Sequence, residues 1–298
     1  MPHGIAVPHG GWSFLRPRRV RQSPANSPQS LLTQRAINLF LHFIPFRPCF
    51  LVPYVTKSLS ITHFNKNNTI NMHIPDGFLS LPIIVITYVF AISVLAISFR
   101  KVKGNVDDRL VPLMALLTAL FFAVQMVNYP IIGGTTAHLL GAPALGILLG
   151  PWLGSISMAI ILVLQCFLFA DGGVTALGAN ILNMAIIGVM VPYAVYLLVS
   201  KKGGRGAVSF GIFFGAFLGD VLGAVAAGLE LGLSAPIFQY GVSIAVPAMG
   251  IHHSVIGLAE GFVTLVVVYS TIKIRPSILT LNRGLSVLIP SAGGVINE

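Results

Sequence analysis

Met72 and His73 could hold a metal ion between them if Met72 is an amino terminus. The free amine of Met72, the amide nitrogen of His73 and the His73 imidazole then follow one another along a single stretch of chain. Amine and amide close one small chelate ring, and amide and imidazole Nδ1 close the next. A deprotonated main-chain amide favours a planar arrangement, and square-planar nitrogen donors suit Ni(II) or Cu(II). One nitrogen is still needed. The best source is His138, which follows Gly133-Gly134-Thr135-Thr136-Ala137, where glycine lets backbone approach closely. Imidazole suits nickel and cobalt alike. A lone histidine near a helix end is also a common hydrogen-bonded structural residue, and that reading stands beside the ligand one.

This chemistry needs the amine to be free, so the stretch before Met72 matters. Residues 1–71 hold Arg16, Arg18, Arg19, Arg21, Arg35, Arg47, Lys57 and Lys66 and no acid. Their most apolar part, 37–55, is interrupted by Pro45, Arg47, Pro48 and Pro53. A spanning helix needs roughly 20 mainly apolar residues, and interior proline costs about 3 kcal/mol. No small-residue cleavage site precedes Met72, so the segment is also a poor signal peptide. Three readings are open: a disordered basic arm, a targeting segment, or upstream sequence placed ahead of the true start. The metal chemistry favours the third. The expected organisation is a leader over 1–71, a membrane domain over 72–275 and a cytoplasmic tail over 276–298.

From Met72 onward the chain reads as a membrane protein. The whole chain is 55% hydrophobic and 9% charged, with a mean hydropathy of +0.87, against about 25% charged in soluble domains. Its net charge of +10 belongs mostly to the leader, so it does not indicate nucleic acid. Cys49 and Cys166 form no disulfide framework or CxxC metal pattern. Apolar segments fall at roughly 81–99, 111–128, 138–149, 151–169, 179–199, 208–229 and 250–272. The expectation is an all-α integral membrane protein of about seven transmembrane helices, with the short third segment a half-span or re-entrant helix. That count puts Arg100, Lys101, Lys103, Arg109, Lys201, Lys202, Arg205, Lys273, Arg275 and Arg283 on one side. By the positive-inside rule this is the cytoplasm. Met72 is then outside and the C-terminus inside, in a plasma (inner) membrane.

Two small-residue seams stand out. Gly211, Gly215, Gly219 and Gly223 suit close packing within the chain, and Ala115, Ala119 and Ala123 could equally face a separate membrane subunit. Asp76 beside Gly77 is expected to fix the first turn by bonding to nearby backbone, or to hydrogen-bond a ligand histidine. Gln125, Asn128 and Asn180 are candidates for orienting the binding loop, and Asp171 for attracting cations. Asp220 and Glu260 fall within predicted spans, where acids are expensive and draw functional suspicion; structural hydrogen bonding is the competing role. His252, His253 and Glu260 raise a rival reading, an intramembrane zinc hydrolase. An H-E-x-x-H core is missing, however, and two helical turns put His253 and Glu260 about 10 Å apart. A passive divalent-cation channel is a further alternative; it predicts ligand rings along a pore rather than donors at one outer site.

Met72-His73-Ile74-Pro75-Asp76-Gly77-Phe78-Leu79-Ser80 resembles the amino terminus of the CbiM/NikM family, the substrate-binding membrane subunits of energy-coupling-factor (ECF) transporters for cobalt and nickel. The likeness continues through 125–130, 133–140, 149–152, 170–180 and 253–261, and covers about 72–272 in order. It implies an ECF S-component-like bundle whose amino terminus folds into an outward pocket. It also implies metal ligation by Met72, His73 and His138, with Ni(II) or Co(II) as the transported substrate. The partners it implies are a membrane coupling subunit, cytoplasmic ATPase subunits and a small accessory membrane protein. No Walker A sequence is present, so the ATPase is expected in another chain and this one is not expected to be an enzyme. The Gly-Gly-Thr-Thr-Ala-His form of the loop looks more like the nickel branch; cobalt would feed cobalamin biosynthesis. Family members begin at the Met-His pair, whereas 71 residues precede it here.

Overall fold

The computed structural model describes residues 73–103, 110–127, 129–131, 135–276 and 283–288. The leader over 1–71, Met72 and Asn128 lie outside these residues.

The described chain is a bundle of seven α-helices, as its apolar segments predict. They are α1 (Leu81–Val102), α2 (Leu110–Gln125), α3 (Ala142–Leu149), α4 (Pro151–Phe169), α5 (Leu177–Ser200), α6 (Gly204–Gly232) and α7 (Val242–Ile274). Five of these, all but α2 and α3, are long and apolar enough to cross a membrane. A two-stranded antiparallel ribbon, β1 (Tyr129–Ile131) with β2 (Thr135–Ala137), joins α2 to the segment before α3. The ribbon has no counterpart in the helical expectation.

Proline and glycine set the boundaries. Pro82, Pro143 and Pro151 stand in the first turns of α1, α3 and α4, where a missing N–H costs nothing. Gly150 takes φ +82° at the α3–α4 corner. Ala170 ends α4 in the left-handed region, a common C-terminal device. α5 widens into a π-helix over Ile181–Ile187.

The sequence places a third segment at 138–149, but the helix covers only Ala142–Leu149, and His138–Gly141 form no helix. At 1.5 Å per residue α3 is about 12 Å long and crosses only part of a bilayer core. Every α3 residue is buried, packed against α4 and α5. A break in helical structure at membrane depth is tolerated where it is buried in protein or lines a water-filled cavity.

α6 packs between α5 and α7, and its glycine seam makes this possible. A Cβ on Gly215 would meet the Pro192 carbonyl oxygen at 2.7 Å, and one on Gly219 would meet the Pro192 ring at 2.4 Å. The glycine seam is therefore internal. Ala115, Ala119 and Ala123 are all exposed on α2.

The intramembrane acids each have a partner. Asp220 on α6 faces His253 Nδ1 on α7, both carboxylate oxygens lying at 3.3 Å. Glu230 accepts from Asn183 Nδ2 at 2.7 Å, and Glu260 accepts from main-chain N–H groups just before α3. His253 and Glu260 are thus engaged with different elements, against the zinc-hydrolase arrangement. Among the described residues no three His, Cys, Asp or Glu side chains are grouped to hold a metal.

Candidate metal site

The site forms where residues 73–80 lie across the α4–α5 connection. Asn180 clasps Ile74 from both sides: its Oδ1 accepts from Ile74 N–H at 3.1 Å and its Nδ2 donates to Ile74 O at 3.2 Å. Gly173 N–H donates to the same carbonyl at 2.9 Å. Asp76 accepts from the main-chain N–H groups of Val174 and Thr175, at 3.1 and 2.7 Å, and from the Thr175 hydroxyl. These bonds show Asp76 bridging to the α4–α5 connection, where the sequence suggests bonding within its own turn. At the far end of the segment Ser80 N–H donates to Ser234 Oγ at 3.1 Å. Beneath it Ile74 and Leu79 bury against Ala176, Ala179 and Ala227.

This docking needs the two glycines after Asp171. A Cβ on Gly173 would meet Asp76 N at 2.2 Å, and one on Gly172 would meet His73 Cβ at 3.0 Å.

The result sets His73 against both His138 and Asp171, although the three side chains are not grouped closely enough to hold a metal by themselves. The two imidazoles stand edge to face with centroids 5.4 Å apart and planes at 80°. His73 is 6% exposed; its Nδ1 lies 3.4 Å from Asp171 Oδ1 and 3.5 Å from the Asp171 carbonyl oxygen. Its Nε2 is buried with no hydrogen-bond partner among the described residues. Nδ1, the nitrogen that a chelate through the His73 amide would use, is thus the one turned to Asp171. His138 is only partly exposed, and its Nδ1 lies 3.2 Å from the Leu139 carbonyl oxygen.

Electrostatics suit a cation. Burial, with His73 adding repulsion, pushes the His138 imidazole down to about 4. The ring is therefore neutral near pH 7, the form a metal ligand needs. Burial opposes ionisation of Asp76, but the hydrogen bonds from Thr175 and Val174 outweigh it and hold its carboxyl below the ordinary value. Arg100, Lys101, Lys201, Lys202, Arg205 and Lys273 flank or occupy the opposite ends of the helices.

Gln125 sits beside this group rather than in it. Its Nε2 donates to the Leu140 carbonyl at 2.6 Å, and its Oε1 accepts from Gln165 Nε2 at 3.0 Å. The Gln165 main-chain carbonyl in turn accepts from Asp171 N–H at 3.1 Å. Gln125 and Gln165 thus tie the chain after His138 to the chain entering Asp171. Gln165 and Thr175 are not among the candidates that the sequence offers. A buried amide inside an apolar helix was the available signal for Gln165; nothing local distinguished Thr175.

Residues 73–278 match the family described as CbiM, the cobalt uptake substrate-specific transmembrane region. The chain belongs to this family. A CbiM-family relative from Archaeoglobus fulgidus, named a putative fused nickel transport protein NikMN, is 43% identical over 208 residues, covering 70% of this chain and 68% of its own length. A cobalt transport protein CbiM from Kyrpidia tusciae is 30% identical over 216 residues, covering 70% of this chain and 86% of its own. A solved structure described as a truncated transition metal transporter superposes with a TM-score of 0.62 at 39% identity, over 68% of this chain and 99% of that one. The multi-pass helical bundle is thus shared with metal transport proteins.

Proposed function

We propose that this chain is the metal-capturing membrane subunit of an ATP-driven, ECF-type importer of Ni(II) or Co(II). The observation that carries the reading is the convergence of His73, His138 and Asp171 at the end of the bundle away from the basic residues. Two imidazoles alone do not complete a four-coordinate site. The planar set is completed by the amine of Met72 and the amide of His73, so the reading requires that amine to be free, through initiation at Met72 or cleavage before it. The membrane domain then comprises 72–275. The histidine end faces outward and the basic end faces the cytoplasm, consistent with the positive-inside rule. Nickel is slightly favoured by the planar nitrogen set; cobalt chemistry fits the same imidazoles. A coupling subunit, cytoplasmic ATPase subunits and a small accessory membrane protein complete the importer.

The test has two parts. Uptake of radiolabelled nickel and cobalt is measured in cells expressing the chain with and without a partner ATPase. Uptake that needs the ATPase supports the importer, whereas uptake by the chain alone in vesicles points to a passive channel. The N-terminal residue of the native-gene product is read by sequencing. A product that keeps residues ahead of Met72 removes the amine donor and with it the planar site.

A further inference from the structure

Glu260 and His138 bond to opposite sides of one peptide group. The peptide joining Leu139 to Leu140 presents its carbonyl to His138 Nδ1 at 3.2 Å and its N–H to Glu260 Oε2 at 2.8 Å. The next N–H, that of Gly141, donates to Glu260 Oε1 at 2.7 Å. Glu260 lies on α7 with no exposed surface. The Leu140 carbonyl is held separately by Gln125 Nε2 at 2.6 Å. Gly141 turns the chain into α3 at φ +69°, in a place where a Cβ would strike the Phe121 ring at 2.0 Å. The two residues following His138 are therefore fixed on several sides.

We infer that Glu260 is a positioning residue for His138, acting through the Leu139–Leu140 peptide to fix the imidazole with Nδ1 protonated and Nε2 presented as the metal-binding nitrogen. A hydrogen-bond acceptor on a peptide N–H polarises the group and strengthens acceptance at its carbonyl. A carbonyl that accepts from Nδ1 selects the tautomer with the lone pair on Nε2. Metal-ligating histidines are commonly oriented by such a bond from the other ring nitrogen; here the carboxylate acts one peptide further away. The bland alternative is that Glu260 only satisfies two buried N–H groups at a helix break. The two roles differ in what they do to His138. The inference rests on the proposed metal site.

The experiment compares the native-gene product, its amino-terminal residue read as above, with its E260Q, H138A and H138A/E260Q variants, reading Ni(II) affinity and the ligand-field absorption of the bound metal. Gln keeps the volume of Glu, but it brings one oxygen and one N–H₂ to two N–H donors. The expected result is an affinity loss of about 10–100-fold in E260Q, the range typical of residues that orient ligands. Its absorption band should shift toward that of H138A, and the double variant should bind no worse than H138A. Wild-type affinity and spectrum in E260Q, or an E260Q loss that multiplies that of H138A, would overturn the inference. If H138A itself binds as wild type, the metal-site reading fails and the inference falls with it. Loss in H138A with retention in E260Q removes only the role of Glu260. Should E260Q not fold, ¹⁵N-histidine NMR of the wild-type chain decides: Nδ1 protonation at His138 is expected, and Nε2 protonation overturns the inference.

Discussion

The His73 imidazole meets the Asp171 carboxylate at 3.4 Å, although one belongs to the amino-terminal segment and the other to the connection after α4. In the proposed site the chelate takes Nδ1 for the metal, so Asp171 acts there as a neighbouring negative charge that favours a cation beside the imidazole, and losing an outer partner of this kind typically costs about 10–100-fold in metal affinity. Asp171→Asn is expected to weaken Ni(II) binding by a factor in that range while leaving the helical content unchanged. Calorimetric titration alongside circular dichroism checks this; unchanged affinity removes Asp171 from the site.

Asn180 is expected to control how firmly the amino-terminal segment docks. In Asn180→Ala the Ile74 carbonyl keeps its bond from Gly173 N–H, but the buried Ile74 N–H loses its acceptor. An orphaned buried donor costs about 1–3 kcal/mol. The loss should appear as faster proteolysis within 73–80 before any change in global unfolding. Proteolysis at the wild-type rate would mean that the clasp contributes little.

Some of this was legible in the sequence and some was not. Hydropathy and punctuation located the helices: segments 81–99 and 151–169 correspond to α1 and α4, and Gly150-Pro151 marks the corner where they suggest it. The glycine seam announced close packing, but not that Pro192 of α5 fills it. His73 and His138 stand out in the sequence both by donor chemistry and by the family resemblance. Their placement beside Asp171 depends on bonds between distant segments, such as Asp76 with Thr175 and Asn180 with Ile74. One sequence carries no direct record of such pairings. Continuous hydropathy over 138–149 also conceals that His138–Gly141 is non-helical, because a short apolar run reads equally as helix.

The Asp76 carboxyl gives the docked segment a pH dependence. Its folded value lies below the ordinary 3.8, because hydrogen bonds from Thr175 and Val174 outweigh burial. A carboxylate with a depressed folded value stabilises the folded state above its unfolded value and loses that contribution as pH falls through the folded one. Wild type should therefore hold residues 73–80 more tightly than Asp76→Asn near neutrality, by an amount that is flat with pH. The difference should close as the solution is taken below 3.8. Proteolysis or amide exchange of the segment in both proteins across acidic pH measures it; a gap that persists at low pH contradicts the assignment.

Gly173→Ala tests whether docking of the amino-terminal segment and metal capture are one event. The added methyl would sit 2.2 Å from Asp76 N and 2.5 Å from Asp76 Oδ1, so one of the two chains must move. Overpacking of this kind typically costs about 1–3 kcal/mol. The clash falls on the segment carrying His73, while His138 is held separately by the chain leading into α3. The variant should therefore keep its helical bundle and lose metal affinity through displacement of His73 alone. Its residual binding should match that of His73→Ala, and combining the two changes should add nothing. A Gly173→Ala protein that folds and binds nickel as wild type would show that the metal is held without the docked segment.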